Sequence, residues 1–326
     1  MKPVRVAVLA GGLSLERDVS LRSGRRVAEA LADAGHDVTR LDLDEHLVAT
    51  LASGGFEVAY LALHGKAGED GTIQGLLDLL DIPYTGPDAV ASALAWDKAV
   101  AKGLFARAGL ATPPWVALSS DAVRDMGAAG ALERVLARLG TPVVVKPAQG
   151  GAALGVRIAA DATGLPPALL SAYSYHDVAL IERFVSGTEV AVSVVGGHPL
   201  PAVEVVPKHG AYDFSARYTP GATEYFAPAR LPDSVLQRCA QAAVTAWDVM
   251  GCRHVTRADL LVDHDGRPWL LELDTCPGMT ETSLLPMAGA AAGWSFPQLC
   301  ERILAAALQD AAAGGPLTGA RRDRAG

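Results

Sequence analysis

No run of about 18 apolar residues occurs in this chain, which excludes a membrane-spanning helix. Cysteine is scarce. Cys239, Cys252, Cys276 and Cys300 form no Cys-x-x-Cys pair, so the expectation is four reduced thiols in a cytoplasmic protein. An excess of basic charge is also missing. The net charge of -8 argues against a nucleic-acid partner, though it leaves room for a local basic pocket that takes phosphates. Aromatic residues make up only 6% of the chain, and no internal repeat is visible. The opening "MKPVRVAVLAGG" has too short an apolar part for a signal peptide and runs straight into a glycine turn.

What is present is abundant Ala, Gly and Val in a chain of 326 residues, enough for two or three domains with proper cores. "VRVAVLAGG", "HDVTRLDLD" and "FEVAYLALHG" read as strands. "LERDVSLRSGRRVAEALADAG" and "GTIQGLLDLLDI" read as helices between and after them. That alternation predicts βαβ units, a parallel sheet and an α/β fold class. "GPDAVASALAWDKAVAKGLFARAGL" reads as helix until the prolines of "ATPPW" stop it, and a first domain boundary falls near Trp96. "TPVVVKPAQGGAALGVRIA" reads as strand, glycine-rich loop and strand. "KHGAYDFSARYTPGATEYFAPAR" has no period, and a loop that long is either functional or disordered. The stretch after about Ala313 is expected to be a disordered tail.

The chemistry concentrates in "VTRADLLVDHDGRPWLLELDT". Asp265-Gly266 between two apolar runs predicts a hairpin turn. That turn sets Asp259 opposite Glu272 and Arg257 opposite Asp274, and strand alternation puts all four on one face. Leu260, Val262, Trp269, Leu271 and Leu273 fall on the other. Three clustered carboxylates repel one another unless a cation sits among them, and oxygen ligands without His or Cys favour Mg²⁺. The competing reading is a surface hairpin with a solvated charged face. In "KPAQGGAALGV", Lys146 precedes a glycine-rich loop whose N–H groups suit phosphate oxygens, although the Walker spacing is absent. A mobile loop beside a surface lysine is the plainer alternative.

These segments occur together and in this order in one family. With "VAVLAGGLSLERDVSLRSG", "LHGKAGEDGTIQGLLDLLDIPYTG", "DKAVAKGLFARAGLATPP" and "RADLLVDHDGRPWLLELDTCPGMTETSLLPMAG", the chain resembles the D-alanine–D-alanine ligases of the ATP-grasp superfamily over nearly its full length. The resemblance implies an ATP-grasp fold in three domains. An N-terminal parallel α/β, substrate-binding domain would span 1–96. A central subdomain would span 97–186 and a C-terminal one with the metal site 187–312, leaving a tail at 313–326. It implies ATP and two Mg²⁺ ions (or Mn²⁺), small amino-acid substrates and a homodimer. Lys98 and Lys146 would hold ATP phosphates. Glu182 with Arg183, Phe184 and Val185 would form the adenine edge, and Glu189 would meet the ribose. Asp259, Glu272 and Asp274 match the metal-ligand positions. Arg257 and the backbone of Gly278 match the groups that stabilise the tetrahedral oxyanion. Glu16 matches the residue engaging the first D-alanine ammonium. His64, Ser283 and Leu284 would line the substrate site, Tyr218 would lie on the loop that closes over it, and Arg217 beside it would help to bind the ATP.

Departures from the family pattern fall in three places. Asp274 stands where the family usually has Asn, which adds negative charge to the site. Ala152 and Ala153 replace two serines, and Gly150 an acidic residue. Arg217 replaces a lysine. A missing serine hydroxyl forfeits a hydrogen bond worth about 0.5–1.5 kcal/mol. The alternatives left open are a paralogue joining a different amino-acid pair and a non-catalytic ATP-binding descendant. Retention of Tyr218 disfavours a depsipeptide product.

Overall fold

The computed structural model of the protein describes residues 2–125, 127–208, 219 and 221–314. Arg217, Tyr218 and nearly all of the expected tail lie outside the described residues. Among those described, the strands form three sheets. The first is parallel, with β1 (Arg5–Leu9) between β2 (Asp37–Leu41) and β3 (Val58–Leu61). All of β3 and all but the first residue of β1 are buried, as strands covered on both faces must be. The second sheet is antiparallel, in the order β4 (Trp115–Ser119), β7 (Val178–Arg183), β5 (Val143–Pro147), β6 (Arg157–Ala159). The third runs β11 (Thr223–Phe226), β10 (Val203–Pro207), β8 (Thr188–Val195), β12 (Val255–Val262), β13 (Pro268–Asp274), with β9 (His198–Pro199) paired to β8. Strand β11 falls where the sequence showed no period.

The third sheet separates apolar from charged residues. Ala258, Leu260, Val262, Leu270 and Leu273 are buried in one core with Cys239, Ala243 and Ala246 of helix Asp233–Met250. That helix ends on Gly251 in the left-handed region (φ 65°), a position suited to a residue without a Cβ.

Two expectations need correction. The pairs Arg257–Asp274 and Asp259–Glu272 are as expected, but the turn is not the two-residue one at Asp265-Gly266. Val262 faces Pro268, and a wider loop is closed by the Asp263 side chain. Its Oδ1 accepts from the N–H of Asp265 and of Arg267, and its Oδ2 from the Trp269 indole. A bulge between Asp259 and Leu260 absorbs the difference in register. A bulge turns two successive residues to one side. Leu271 therefore joins Glu272 on the site face, lining a pocket with Leu261, instead of pointing into the core. Second, the long helix before "ATPP" is two helices, Ala89–Trp96 and Lys98–Arg107. Asp97 breaks the run with an extended backbone, and its carboxylate caps the second helix at Ala99 and Val100.

Helix Arg17–Asp33 packs against the first sheet with no room to spare at Gly24, where an added Cβ would run into the Cβ of Ala10. Gly24→Val is expected to lower stability by about 1–3 kcal/mol through overpacking, outweighing the small gain in helix propensity. Denaturant unfolding checks this; a neutral or stabilising effect contradicts the packing described.

Candidate active site

The carboxyl ends of β1 and β3 carry the chain into loops that bear Glu16 and His64, the usual place for a ligand beside a parallel sheet. Facing these loops are the charged end of the β12–β13 hairpin and the segment 275–283. Together they enclose an open cleft of about 890 Å³, lined by Glu16, His64, Lys98, Arg257, Glu272, Asp274, Gly278, Ser283 and Leu284. A second cavity of about 970 Å³ adjoins it between the second and third sheets and shares Lys98, Gly150, Gly151 and Glu272 with it. Lys146, Glu182, Glu189 and Asp259 line its polar end, and Val144, Ile158, Leu261 and Leu271 its apolar walls. Most of the expected site residues thus gather in two connected spaces. Arg183 ends β7, and Phe184 and Val185 begin the link to β8; Arg183 and Phe184 are exposed.

Arg257 organises the hairpin. Its Nε and Nη2 donate to the two oxygens of Asp259 at 2.6 and 2.8 Å, and its Nη1 lies 2.9 Å from Asp274 Oδ2. Burial alone would lower the Arg257 pKa, but Asp259 and Asp274 outweigh it and hold the guanidinium charged. Burial raises the Asp274 carboxyl; Arg257 opposes the shift and Asp259 adds to it. Asp274 Oδ1 also accepts from the N–H of Cys276, which fixes where the chain turns into segment 275–283. Lys98 begins its helix directly after the Asp97 cap. Its Nζ reaches Glu272 Oε2 at 3.1 Å and donates to the Gly150 carbonyl at 2.6 Å. The glycine-rich loop is thereby tied to the hairpin. Ala152 and Ala153 hold left-handed backbone there (φ 51° and 56°), a conformation that favours glycine, and Ala152 presents only a methyl group to the cleft.

Sequence reasoning left two charged groups unassigned. Lys102 is fully buried one helical turn beyond Lys98, with Nζ 2.6 Å from Glu182 Oε1 and 2.5 Å from Thr112 Oγ1. Lys146 Nζ holds the other Glu182 oxygen at 2.9 Å. Burial brings the Lys102 pKa down to about 8, against the pull of Glu182. Burial would raise Glu182, but Lys146 and Lys102 together hold it below the usual carboxylate range. The available signal was the spacing of Lys102 from Lys98, which puts both near one face of a helix. The other group is Glu69, whose Oε1 accepts from the N–H of Gly65 at 2.7 Å. Burial, then Asp274 and Glu16, push its carboxyl well above the usual range.

The donor set for a metal is all carboxylate oxygen, which suits a hard divalent cation. Among the described residues, no three His, Cys, Asp or Glu side chains already converge on one point that would hold an ion. Asp259, Asp274 and Glu272 are instead neutralised by Arg257 and Lys98. Burial chiefly raises the Glu69 and Asp274 carboxyls, and neighbouring carboxylates (Asp274 and Glu16 for the first, Asp259 for the second) add to it. The residues fit such an ion by chemical type.

Comparison with known proteins agrees with this geometry. Family models described as D-ala D-ala ligase N-terminus and D-ala D-ala ligase C-terminus match residues 47–87 and 104–305. A D-alanine–D-alanine ligase of Anaeromyxobacter sp. (strain K) is 47% identical over 300 residues, covering 92% of this chain and 96% of the relative. The crystal structure of the D-alanine–D-alanine ligase from Bacillus anthracis superposes with a TM-score of 0.83 at 32% identity, covering 94% of this chain and 98% of that one. The same enzyme complexed with ATP gives a TM-score of 0.81 at 31% identity, with the same coverage.

The Lys102–Glu182–Lys146 group yields a pH prediction. A carboxyl held low in the folded state contributes stability in full above its unfolded pKa, and loses it as pH falls through the folded one. Lys102→Met removes one of the two lysines that support Glu182, so that loss begins at higher pH. The acid-unfolding midpoint is expected to rise, with about 3 kcal/mol lost near neutrality. An unchanged acid midpoint, followed by circular dichroism, contradicts the assignment.

Proposed function

Since the chain belongs to the D-alanine–D-alanine ligase family, we propose that it joins two D-alanines into D-alanyl-D-alanine, driven by ATP, with ADP and phosphate as the other products. The observation that carries this reading is the connected pair of cavities: a lysine-lined slot between two sheets opens onto a carboxylate-rich cleft, with Arg257 and Gly278 at the cleft. The slot suits the nucleotide. Lys98 and Lys146 offset phosphate charge, Leu261, Leu271 and Ile158 take the base, and Glu189 meets the ribose. Glu182 with Arg183, Phe184 and Val185 forms the base edge. What supports dividing the chain at 1–96, 97–186 and 187–312 is that each stretch carries one sheet.

In the first step a D-alanine carboxylate oxygen attacks the γ-phosphorus and the bridging oxygen leaves with ADP, giving an acyl phosphate. Such transfer is chiefly positioning and charge neutralisation. Asp259, Glu272 and Asp274 would hold divalent cations, Mg²⁺ for preference, which supply neutralisation of phosphate charge when bound. Glu16 holds the ammonium of the first D-alanine, and Ser283 and Leu284 border it. In the second step the neutral amine of the second D-alanine attacks the acyl carbon. The amide bond forms, the bond to phosphate breaks, and the nitrogen releases a proton. Negative charge gathers on the carbonyl oxygen in between. Arg257 has five N–H donors and gives three of them to Asp259 and Asp274, so two remain for that oxygen beside the Gly278 N–H. Arg217 and Tyr218, outside the described residues, are assigned to a closing loop that keeps water from the acyl phosphate.

A homodimer and a cytoplasmic location complete the proposal. Among the described residues no helix is long and apolar enough to cross a membrane. The deciding assay is phosphate release from ATP and Mg²⁺ with D-alanine alone, with products identified by mass. The dipeptide is expected, showing that Asp274 and Ala152 are compatible with this product. Turnover only with another amino acid, or ATP binding without phosphate release, overturns the reading.

A further inference from the structure

Four residues that the mechanism uses lightly or not at all form one closed set of hydrogen bonds beneath the cleft. Ser23, on helix Arg17–Asp33, is fully buried. Its hydroxyl lies 2.8 Å from His64 Nε2 and accepts from the N–H of Met279 at 3.1 Å. His64 Nδ1 lies 3.0 Å from the carbonyl oxygen of Cys276. Donor and acceptor roles follow from the groups at the two ends. A carbonyl only accepts, so His64 carries its proton on Nδ1 and Nε2 must accept. A backbone N–H only donates, so the Ser23 oxygen accepts from Met279 and its hydrogen points to Nε2. Every bond is thus made once, in one direction, and both ring nitrogens of His64 bond protein atoms.

The set begins and ends on the same segment. The Cys276 carbonyl and the Met279 N–H flank Pro277 and Gly278, so the two residues between them are held at both sides. Arg26, one turn along from Ser23, donates from Nη1 to the Met279 carbonyl at 3.0 Å and strengthens the same hold. On the far side Gly278 has no slack: a Cβ there would sit 2.6 Å from Ser283 Oγ. Burial brings the His64 pKa down to about 4, against its bond to Cys276, so the neutral ring that the bonding requires persists at neutral pH.

We propose that Ser23 and His64 are positioning residues, a neutral brace between helix Arg17–Asp33 and segment 275–283 that aims the Gly278 N–H at the oxygen where charge develops. The proposal rests on the ligase reading for the role of Gly278. It assigns His64 neither a substrate bond nor proton transfer. Misplacing an oxyanion donor by an ångström is enough to slow a reaction about 100-fold.

The test uses Ser23→Ala, Ser23→Thr and His64→Asn in the full chain. Ser23→Ala is expected to lower kcat by about 10–100-fold with KM for ATP within about 2-fold, since only the donor's aim changes. Exchange of the ATP bridging oxygen in the presence of D-alanine, which reports acyl phosphate formation, should fall less than dipeptide formation. Ser23→Thr keeps the hydroxyl and should recover most of kcat. Side-chain ¹⁵N shifts of His64 should show the Nδ1–H tautomer in the native protein and a mixture in Ser23→Ala. That readout needs no turnover, so a native protein that fails to make the dipeptide sinks the ligase reading while the brace is still judged from the tautomer. Native kcat in Ser23→Ala, an Nε2–H tautomer in the native protein, or loss of a limb of the kcat–pH profile in His64→Asn overturns the proposal.

Discussion

The buried guanidinium of Arg257, held between Asp259 and Asp274, is the interaction on which the remainder of the site depends. Two contacts of 2.6 and 2.8 Å bind Arg257 to Asp259 within β12, and a third of 2.9 Å crosses to Asp274 on β13. A buried ion pair gives little net stability, but removing one partner strands a charge and costs about 3–5 kcal/mol. The hairpin therefore keeps its charged face only because opposite charges alternate in the right register. The bulge after Asp259 preserves that register while letting the far end of the hairpin close around Asp263. From Asp274 the order passes to Cys276 and on to Gly278.

Charge is handled in the same way across both cavities. Lys98 meets Glu272, and Lys102 and Lys146 share Glu182. Each carboxylate named here is matched to a lysine or arginine from another position in the fold. Such an arrangement keeps buried charges tolerable before any ligand arrives, and it brings lysine and arginine N–H groups to the places where phosphate and a developing oxyanion would sit. Burial raises the carboxyls of Glu69 and Asp274, the second despite its pairing with Arg257, and neighbouring carboxylates add to both shifts. A hard divalent cation fits this all-oxygen set by chemical type.

Much of this was legible in the sequence. Charges interleaved with leucines gave away the hairpin, and the pairing of Asp259 with Glu272, read from a tight turn at Asp265-Gly266, holds because the bulge after Asp259 restores that register. The turn did not, because a side-chain cap by Asp263 competes with the tight Asp-Gly turn and nothing local reveals the winner. The break at Asp97 was readable: an Asp preceding a helical run is a cap signal, hidden here by apolar periodicity on both sides. Lys102 was not. A lysine on a helix is ordinarily solvated, and its burial depends on Thr112 and Glu182, which come from elsewhere in the chain. Ser23 was hidden for the same reason, as was its bond to His64, since the partners that give the pair meaning lie at Cys276 and Met279. Local rules reach turns, caps and alternation; they do not reach bonds between distant segments.

The proposed function requires the carboxylate face of the β12–β13 hairpin and the adjoining lysine-lined slot to take ATP together with a divalent cation. Calorimetric titration of the protein with a non-hydrolysable ATP analogue, with and without Mg²⁺, tests it directly. At least about 100-fold tighter binding with Mg²⁺ is expected, because Glu272 and Asp274 otherwise face the phosphates as like charges. Equal affinity in the presence and absence of the ion would contradict it.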